Sequence, residues 1–369
     1  MKLVWATVTN VDSADEGVQH LSVAVDGQAE GRALCYPALC GACRVSDRVL
    51  LNVTAVELSL GTGGLHFVVA RAGDGIGVVY DAPSDGHIMK LRYTPLQLDV
   101  LAVEAQESPH HEVMKEATGL SGMPVVCCGL HSHVPLVAAA VKQANPALRV
   151  AYCMTDSAAL ALPLSDVVRA SRRAGLFDAT VSCGQAFGGE YESVNLHSGL
   201  LAARHVIGAD VAIVAIGPGV VGTATPFGHG GIAQGEALNA AYSLGGVPIA
   251  ALRLSFADSR QRHRIVSHHT LSALTQIALG EVLVAVPSLS AELAVQVDAV
   301  LEAAGVWQRH LRVDLPAGTH GAPDMRGVRV ATMGRTIDDD PAYFAAAFAA
   351  GEVAGRAASG SAEVRRGAE

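Results

Sequence analysis

The sequence predicts an α/β protein in which a doubly wound, mostly parallel sheet follows a smaller N-terminal β-barrel-like domain. Short alternating or β-branched runs dominate roughly the first hundred residues, which is typical of small antiparallel barrels. From residue 123 onward, apolar runs of strand length alternate with helical segments, which is typical of parallel βαβ units. A chain of 369 residues with 50 % hydrophobic content also exceeds the roughly 100–200 residues of an ordinary domain, so two domains are expected.

The N-terminal domain is predicted over residues 1–105. Its strands are predicted where β-branched or alternating residues lie between turn residues, at 3–11, 20–25, 49–60 and 65–70. A further run at 88–103 contains Pro95, which suits an edge strand or a bent connection out of the barrel. The polar segment 106–122 is predicted to link the two domains.

The second domain is predicted over residues 123–356, with its helices on both faces of one sheet because parallel crossovers are right-handed. The tail at 357–369 is small, charged and aperiodic, so disorder is expected there. Strands are predicted at 125–128, 150–154, 179–182, 211–216, 247–254, 282–286 and 311–313, with a late strand at 329–333. Helices are predicted at 135–143, 165–174, 196–206, 234–243, 270–279, 291–304 and 341–355.

Charge and hydropathy exclude several classes of partner. The net charge is −9 and no stripe of lysine and arginine is present, which argues against nucleic acid. The apolar stretch 209–224 is broken by glycine and proline and is shorter than a span of about 20 residues, so no membrane segment is expected. The N-terminus lacks a secretory apolar region and the seven cysteines are an odd number, which predicts a cytoplasmic chain with reduced thiols. A homo-oligomer is expected because it would bury the apolar excess.

Polar, glycine-rich or histidine-rich segments follow almost every predicted strand of the second domain. In open α/β sheets, ligands bind outside the carboxyl ends of the strands. We therefore expect these segments to converge on one ligand site, and an anionic small molecule is the expected partner. The segments lie at 128–133, 155–157, 183–185, 217–219 and 255–258.

The segment after the fourth of these strands has the pattern G-x-G-x-x-G. It places Gly217, Gly219 and Gly222 ahead of Thr223. Three interpretations are open: a dinucleotide site, a phosphate- or carboxylate-binding loop, and a tight turn without a ligand. A second glycine-rich loop up to residue 231 delays the next helix, which counts against the dinucleotide site. No G-x-x-x-x-G-K-[ST] sequence is present, which excludes a P-loop nucleotide hydrolase.

Histidines and carboxylates at these strand ends are candidates for acid–base chemistry. Imidazole and carboxylate groups are also metal ligands, and Asp156 or Asp258 would supply the oxygen. The alternative is that the histidines cap helices and bond to backbone, as Ser267 suggests by its position as an N-cap. No spacing here is as diagnostic as H-E-x-x-H, so neither a metal site nor a cofactor is predicted. The candidate catalytic residues are His131, His133, Asp156, Glu190, His268 and His269.

Basic residues concentrate just before Ser267. Arg260, Arg262 and Arg264 are predicted to bind an anionic ligand, because guanidinium groups fork onto phosphates and carboxylates. The alternative is a solvated loop that pairs with surface acids. Further along the chain, Asp340 precedes a proline and is predicted to be the N-cap of the last helix.

The cysteines give weaker signals. Cys40-Gly-Ala-Cys43, with Cys35 nearby, is half of a zinc-ribbon pattern, and a structural role is predicted because no second C-x-x-C exists. Cys127, Cys128 and Cys183 lie at strand ends, where a cysteine is a candidate nucleophile. Cysteines in strands are more often small buried hydrophobic residues.

Taken in order, these segments resemble a bacterial family known as DUF3866, a domain of unknown function. The resemblance spans nearly the whole chain and implies that these loops belong together, but it implies no reaction and no cofactor. It is carried by C-G-L-H-S-H at 128–133, M-T-D-S-A-A-L at 154–160, G-G-E-Y-E-S-V-N at 188–195, G-P-G-V-V-G-T at 217–223 and S-H-H-T at 267–270.

Two functions from different classes follow from this pattern. The first is an enzyme acting on a small anionic substrate, phosphorylated or nucleotide-like, at the carboxyl edge of the sheet. The second is a non-catalytic module that recognises a metabolite or assembles with a partner. Clustered acid–base side chains in one pocket would favour the enzyme.

Overall fold

The computed structural model describes residues 1–27, 29–59, 63–72, 86–315 and 322–360. The chain divides into two compact units, Met1–Leu101 and Ala102–Glu369. The segment 106–122, predicted as a linker, groups with the second unit and contains one short helix.

The first unit is built on a closed barrel, as the sequence predicts. Its strands are β1 (Leu3–Asp15), β2 (Val18–Val25), β3 (Glu30–Cys35), β4 (Arg48–Asn52) and β5 (Leu65–Arg71), with the short helices α1 (Pro37–Cys40) and α2 (Thr54–Glu57). The order around the barrel is β1-β2-β3-β5-β4, and every pair is antiparallel except β3 with β5. Inward-facing side chains such as Leu21, Val23 and Leu51 are fully buried and form its core.

Two predicted strands of this unit are wrong in length. The run 49–60 ends as a strand at Asn52, whose Oδ1 accepts a hydrogen bond from the Thr54 amide at 3.1 Å and so starts α2; residue 60 lies outside the described residues. The run 88–103 folds back around Pro95 as an antiparallel pair, β6 (Ile88–Lys90) and β7 (Leu98–Val100). The prediction missed β3, because its two charged residues and one glycine hide its strand character.

The second unit is built on an eight-stranded parallel sheet in the order β11-β10-β9-β12-β8-β13-β16-β17. Its strands are β8 (Pro124–Cys128), β9 (Val150–Thr155), β10 (Ala179–Cys183), β11 (Tyr191–Ser193), β12 (Val211–Ile216), β13 (Val247–Ala251), β16 (Leu283–Val286) and β17 (Leu311–Asp314). A separate antiparallel pair is formed by β14 (Leu254–Ser255) and β15 (Ile265–Val266). The continuous apolar strands predicted this sheet, because parallel strands are covered on both faces.

Helices cover both faces of the sheet. Their bounds are α3 (His111–Glu116), α4 (His133–Ala144), α5 (Asp166–Arg173), α6 (Leu196–His205), α7 (Ile232–Ser243), α8 (His268–Ser272), α9 (Ala291–Ala303) and α10 (Pro341–Ala358), with 3-10 turns at Leu162–Leu164, Gln261–His263 and Val306–Gln308 and a π-helical turn at Ala273–Ile277. One face packs against α4, α5 and α10, and the other packs against α6, α7 and α9. None of the described helices is long and apolar enough to cross a membrane.

Four predictions for this unit need correction. Residues 329–333 are not a strand, since their one bridge among the described residues is the isolated one between Thr332 and Arg335. The predicted helix 270–279 is instead α8 followed by the π-helical turn, and the predicted strand 247–254 is divided between β13 and β14. The last helix extends past 355 to Ala358, and residues 361–369 of the predicted disordered tail lie outside the described residues.

Candidate functional site

The loops that leave the carboxyl ends of the strands contact one another directly. His131, after β8, places Nδ1 at 3.2 Å from the carbonyl oxygen of Ile216 at the end of β12. The Ala159 amide, after β9, donates to the Pro218 carbonyl at 3.1 Å. The loop after β8 leads to α4 on one face, while the loop after β12 leads to α7 on the other. Neighbouring strands whose connections leave in opposite directions define a topological switch point, the usual ligand position in such sheets.

A cleft of about 370 Å³ lies at this switch point. Its walls are Leu130–Ser132, Ile216–Val220, Arg329–Met333 and the side chain of Val167 in α5. Apolar side chains dominate the lining, and the polar groups are His131, Ser132, Arg329 and Thr332. Arg329 is exposed and has no ion-pair partner among the described residues. Ser132 lies at the N-cap of α4, so the positive end of that helix dipole adjoins the cleft.

His131 is held in the cleft wall by bonds to both ring nitrogens. Nε2 lies 2.7 Å from the Ser165 hydroxyl, and Nδ1 also lies 3.2 Å from the Tyr152 hydroxyl. An Nδ1–H that donates to the Ile216 carbonyl leaves Nε2 to accept from Ser165. Burial lowers the pKa of His131 to about 4, so the ring is neutral at pH 7. The arrangement orients His131 and leaves it little capacity to take up a proton.

Different structural constraints require glycine at different positions of the loop after β12. A Cβ at Gly217 would clash with the carbonyl oxygen of Ala159, so this position requires close approach of two loops. Gly219 has a φ of +93°, a conformation that favours glycine. The loop then folds back on itself, because the Thr223 amide and hydroxyl both donate to the Gly228 carbonyl at 2.9 Å. The next helix begins only at Ile232, as the sequence indicated.

The same loop contains His229, which is one of four histidines that form a cluster. His229 stacks on His269 with ring centroids 4.0 Å apart, and His268 lies 4.4 Å from His269. His263 completes the cluster and bonds through Nδ1 to the Ser267 hydroxyl at 2.8 Å. Ser267 also accepts from the His269 amide, which confirms it as the N-cap of α8.

The clustered histidines are neutral at pH 7. Burial, together with repulsion from neighbouring histidines and Arg253, lowers the pKa of His269 to about 2. Burial and the charges of Arg253 and Arg260 lower the pKa of His263 to about 3. Burial is also the main cause of the lowered pKa values of His229 and His268. Neutral imidazoles keep a lone pair, which proton acceptance or metal coordination requires.

Of the three arginines predicted to bind an anion, Arg260 is engaged within the protein. It forms a bidentate ion pair with the buried carboxylate of Asp258, at 2.8 and 2.9 Å. The guanidinium of Arg260 is therefore used within the protein and is not free to bind a ligand. Arg335 also reaches Asp258, at 3.4 Å, and bonds to Asp340 at 3.1 Å. Asp340 occupies the N-cap position of α10, as predicted, but its side chain does not cap the helix. Arg262 and Arg264 are exposed beside the histidine cluster.

Three other predicted residues are not part of the cleft or of the histidine cluster. Asp156 accepts from the Gln185 amide at 2.9 Å and so joins two loops. Glu190 forms a bidentate pair with Arg172 and so joins its loop to α5. His133 is fully buried in α4 at 4.6 Å from the Tyr343 ring, and neither of its ring nitrogens has a partner among the described residues. Burial lowers the pKa of His133 to about 3.

All seven cysteines are free and buried. Burial raises the pKa values of Cys127 and Cys128 well above the usual range, so both remain thiols at neutral pH and are poor nucleophiles. In the barrel, the Sγ atoms of Cys35 and Cys40 lie 3.6 Å apart within the core.

Sequence reasoning missed His229 and Arg329 as site residues. His229 carries one signal that was available, because it lies between glycines in a loop that follows a strand of the sheet. Arg329 had no such signal, since its segment alternates like a strand.

Fold and site together define a barrel-containing α/β protein with a cleft at the switch point of a parallel sheet. The family model described as a protein of unknown function, DUF3866, matches residues 32–351, so the chain belongs to this family. No curated protein and no solved structure matches the chain.

Proposed function

We propose that this protein is an enzyme acting on a small anionic substrate, phosphorylated or nucleotide-like, that binds in the cleft at the carboxyl edge of the parallel sheet. The observation that carries the proposal is the cleft itself. It lies at the switch point, has a volume of about 370 Å³, and is formed by chain segments distant in sequence. Ligand pockets of small-molecule enzymes have this size, this position and this mixture of apolar lining with few polar groups.

The charges around the cleft support an anionic ligand. Arg329 is exposed at the wall, and the positive end of the α4 dipole adjoins Ser132. Arg262 and Arg264 supply further positive charge at the same sheet edge. The apolar lining, which includes Leu130, Ile216 and Val220, suits a substrate whose body is less polar than its charged group.

A first experiment measures ligand-induced thermal stabilisation of the full chain with nucleotides, sugar phosphates and small carboxylates. A ligand at 100 times its Kd adds about 2.7 kcal/mol to the free energy of unfolding and raises the Tm. Arg329→Ala should weaken the binding of a hit about tenfold or more, because a charge-assisted contact is lost. Arg149→Ala is the matched control, since Arg149 is exposed at the amino-terminal end of β9. The proposal fails if no anion binds, or if the two variants behave alike.

The second candidate function is a non-catalytic metabolite-binding module. It is favoured by one observation, the bonding of both nitrogens of His131 within the cleft wall. Mass spectrometry of each stabilising ligand after incubation with the protein separates the two functions. Conversion of the ligand supports the enzyme, whereas binding without conversion supports the module.

A further inference from the structure

The histidine cluster contains three imidazoles whose ring nitrogens lie close together. We propose that His229, His268 and His269 bind one divalent transition metal ion, zinc above all, and leave a fourth coordination position for water or substrate. One ring nitrogen from each of these residues lies within 4.8 Å of the other two. Zinc bound by three protein nitrogens with an open fourth position is the arrangement of catalytic rather than structural sites.

His229 has the strongest geometric case. Its Nε2 lies 3.0 Å from the Pro226 carbonyl oxygen, and only an Nε2–H can donate there. The lone pair is therefore on Nδ1, which is buried and has no hydrogen-bond partner among the residues that the structure describes. A second ring nitrogen that donates to a backbone carbonyl is the usual support of a metal-binding histidine. Since His229 is only 6 % exposed, leaving Nδ1 unpartnered is costly unless something binds it.

His268 supplies the second such nitrogen, since its Nε2 is buried and forms no hydrogen bond within the described part of the chain. His269 supplies the third ligand from the adjacent position of α8, and Ser267 caps this turn and so holds both residues. A Cβ at Gly222 would stand 3.7 Å from Nε2 of His269, so the glycine leaves free space beside that nitrogen.

Arg253 determines which tautomer of His269 is present before a metal ion binds. Its Nη1 lies 3.4 Å from Nδ1 of His269 and favours the tautomer that carries the proton on Nε2. Metal binding through Nε2 moves that proton to Nδ1 and turns the guanidinium toward Asp258, which already lies 3.8 Å away. The ring nitrogens must also approach by about 1–1.5 Å, because zinc–nitrogen bonds of about 2.0–2.1 Å separate tetrahedral ligands by roughly 3.4 Å. The rings of His229 and His269 are stacked with an angle of 4° between their planes, so one of them must turn before both lone pairs point at the same ion. His268 is only half-buried, so it has room to make this movement.

The inference goes beyond the proposed function, because metal binding is measured without any substrate. The chelator-treated full chain is titrated with Zn²⁺, and with Co²⁺ as a spectroscopic probe. We expect one ion per chain and visible Co²⁺ absorption of the intensity that four-coordinate nitrogen ligation produces. Absence of stoichiometric Zn²⁺ and of these Co²⁺ bands in the wild-type chain overturns the proposal without any variant.

Variants then assign the ligands. His229→Asn and His268→Asn should each weaken Zn²⁺ binding roughly 100-fold or more, since each removes a ligand. His310→Asn is the matched control, because His310 is also buried, bonds one ring nitrogen to a carbonyl oxygen and leaves the other without a partner, but stands outside the cluster. Circular dichroism of the metal-free variants checks folding, and His268→Asn is the less disruptive of the two because its side chain is half-buried. Equal affinity in the cluster variants and the control overturns the assignment.

Discussion

Asp258 balances the charges of the chain segment that follows β13. Its carboxylate is 3 % exposed and faces Arg260, Arg335 and Arg253 at 2.8, 3.4 and 3.8 Å. The hydrogen bonds from Arg260 are the main reason that the pKa of Asp258 lies well below its usual range. Burial lowers the pKa of Arg253 to about 10, so this guanidinium is still charged at pH 7 and needs a counter-charge. Arg260 therefore serves the protein's own structure at the position where the sequence suggested ligand binding.

Replacing Asp258 tests this balance at the level of one residue. Asp258→Asn should lower the free energy of unfolding by about 3–5 kcal/mol, because it leaves the buried Arg253 charge uncompensated. Urea unfolding at pH 7 measures the change. Asp298→Asn is the control, since the Asp298–Arg312 pair is exposed and such pairs contribute about 0–1 kcal/mol. Similar losses in both variants would show that Asp258 has no special role.

Among the secondary-structure elements, the sequence predicted those whose local hydrophobic pattern is distinctive. The strands β8, β9, β10 and β12 were found almost to the residue, because parallel strands covered on both faces leave continuous apolar runs. The strands β3 and β11 were missed, because β3 contains two charged residues and a glycine and β11 is only three residues long. Residues 329–333 alternate as a strand does, and only the tertiary structure assigns them to the cleft wall.

The candidate site likewise has features that the sequence predicts and features that depend on the tertiary structure. A parallel sheet alone predicts that the loops at its strand ends meet. The contacts of His131 and Pro218 agree with this prediction. The parallel sheet does not predict which histidines contact each other. His229 reaches His269 only because the loop at 223–228 folds back on itself. His133 was separated from His131 by helix geometry, because α4 begins between them and turns His133 into the core.

Helices α4 and α10 pack unusually closely, and two glycines make this contact. A Cβ at Gly351 would clash with the Val137 carbonyl oxygen and lie 2.8 Å from the Ala140 Cβ. A Cβ at Gly355 would lie 2.6 Å from the Ala144 Cβ. Glycine within a helix costs about 1 kcal/mol relative to alanine, so these glycines are explained by packing and not by helix propensity.

Gly351→Ala should therefore lower the free energy of unfolding by about 1–3 kcal/mol through overpacking, although propensity alone would raise it by about 1 kcal/mol. Thermal and urea unfolding measure the change. Ala345→Gly, at a half-buried position of α10, is the control and should cost only the propensity term of about 1 kcal/mol. A more stable Gly351→Ala variant would show that the two helices have room to separate.

For the whole molecule, buried neutral histidines tie folding to pH. Burial lowers the pKa values of His131, His133, His263 and His269 to about 4, 3, 3 and 2. In the unfolded chain a histidine has a pKa near 6.5. Below that pH the unfolded state binds protons that the folded state excludes, so stability falls as the pH drops and is fully present only above about 6.5.

We expect the free energy of unfolding to fall between pH 7 and pH 5, by roughly 2 kcal/mol for each buried histidine that stays neutral in the folded chain. His133→Leu tests the contribution of one such group, since the ring is fully buried and neither nitrogen is hydrogen-bonded to any described residue. Urea unfolding at both pH values should show a smaller loss for this variant than for the wild type, because leucine binds no proton in either state. Val134→Ala, at the next buried position of α4, should lose the same free energy at both pH values. If His133→Leu keeps the full pH dependence of the wild type, protonation of His133 does not contribute to acid unfolding, and the carboxylates held by arginines, Asp258 first among them, must account for it.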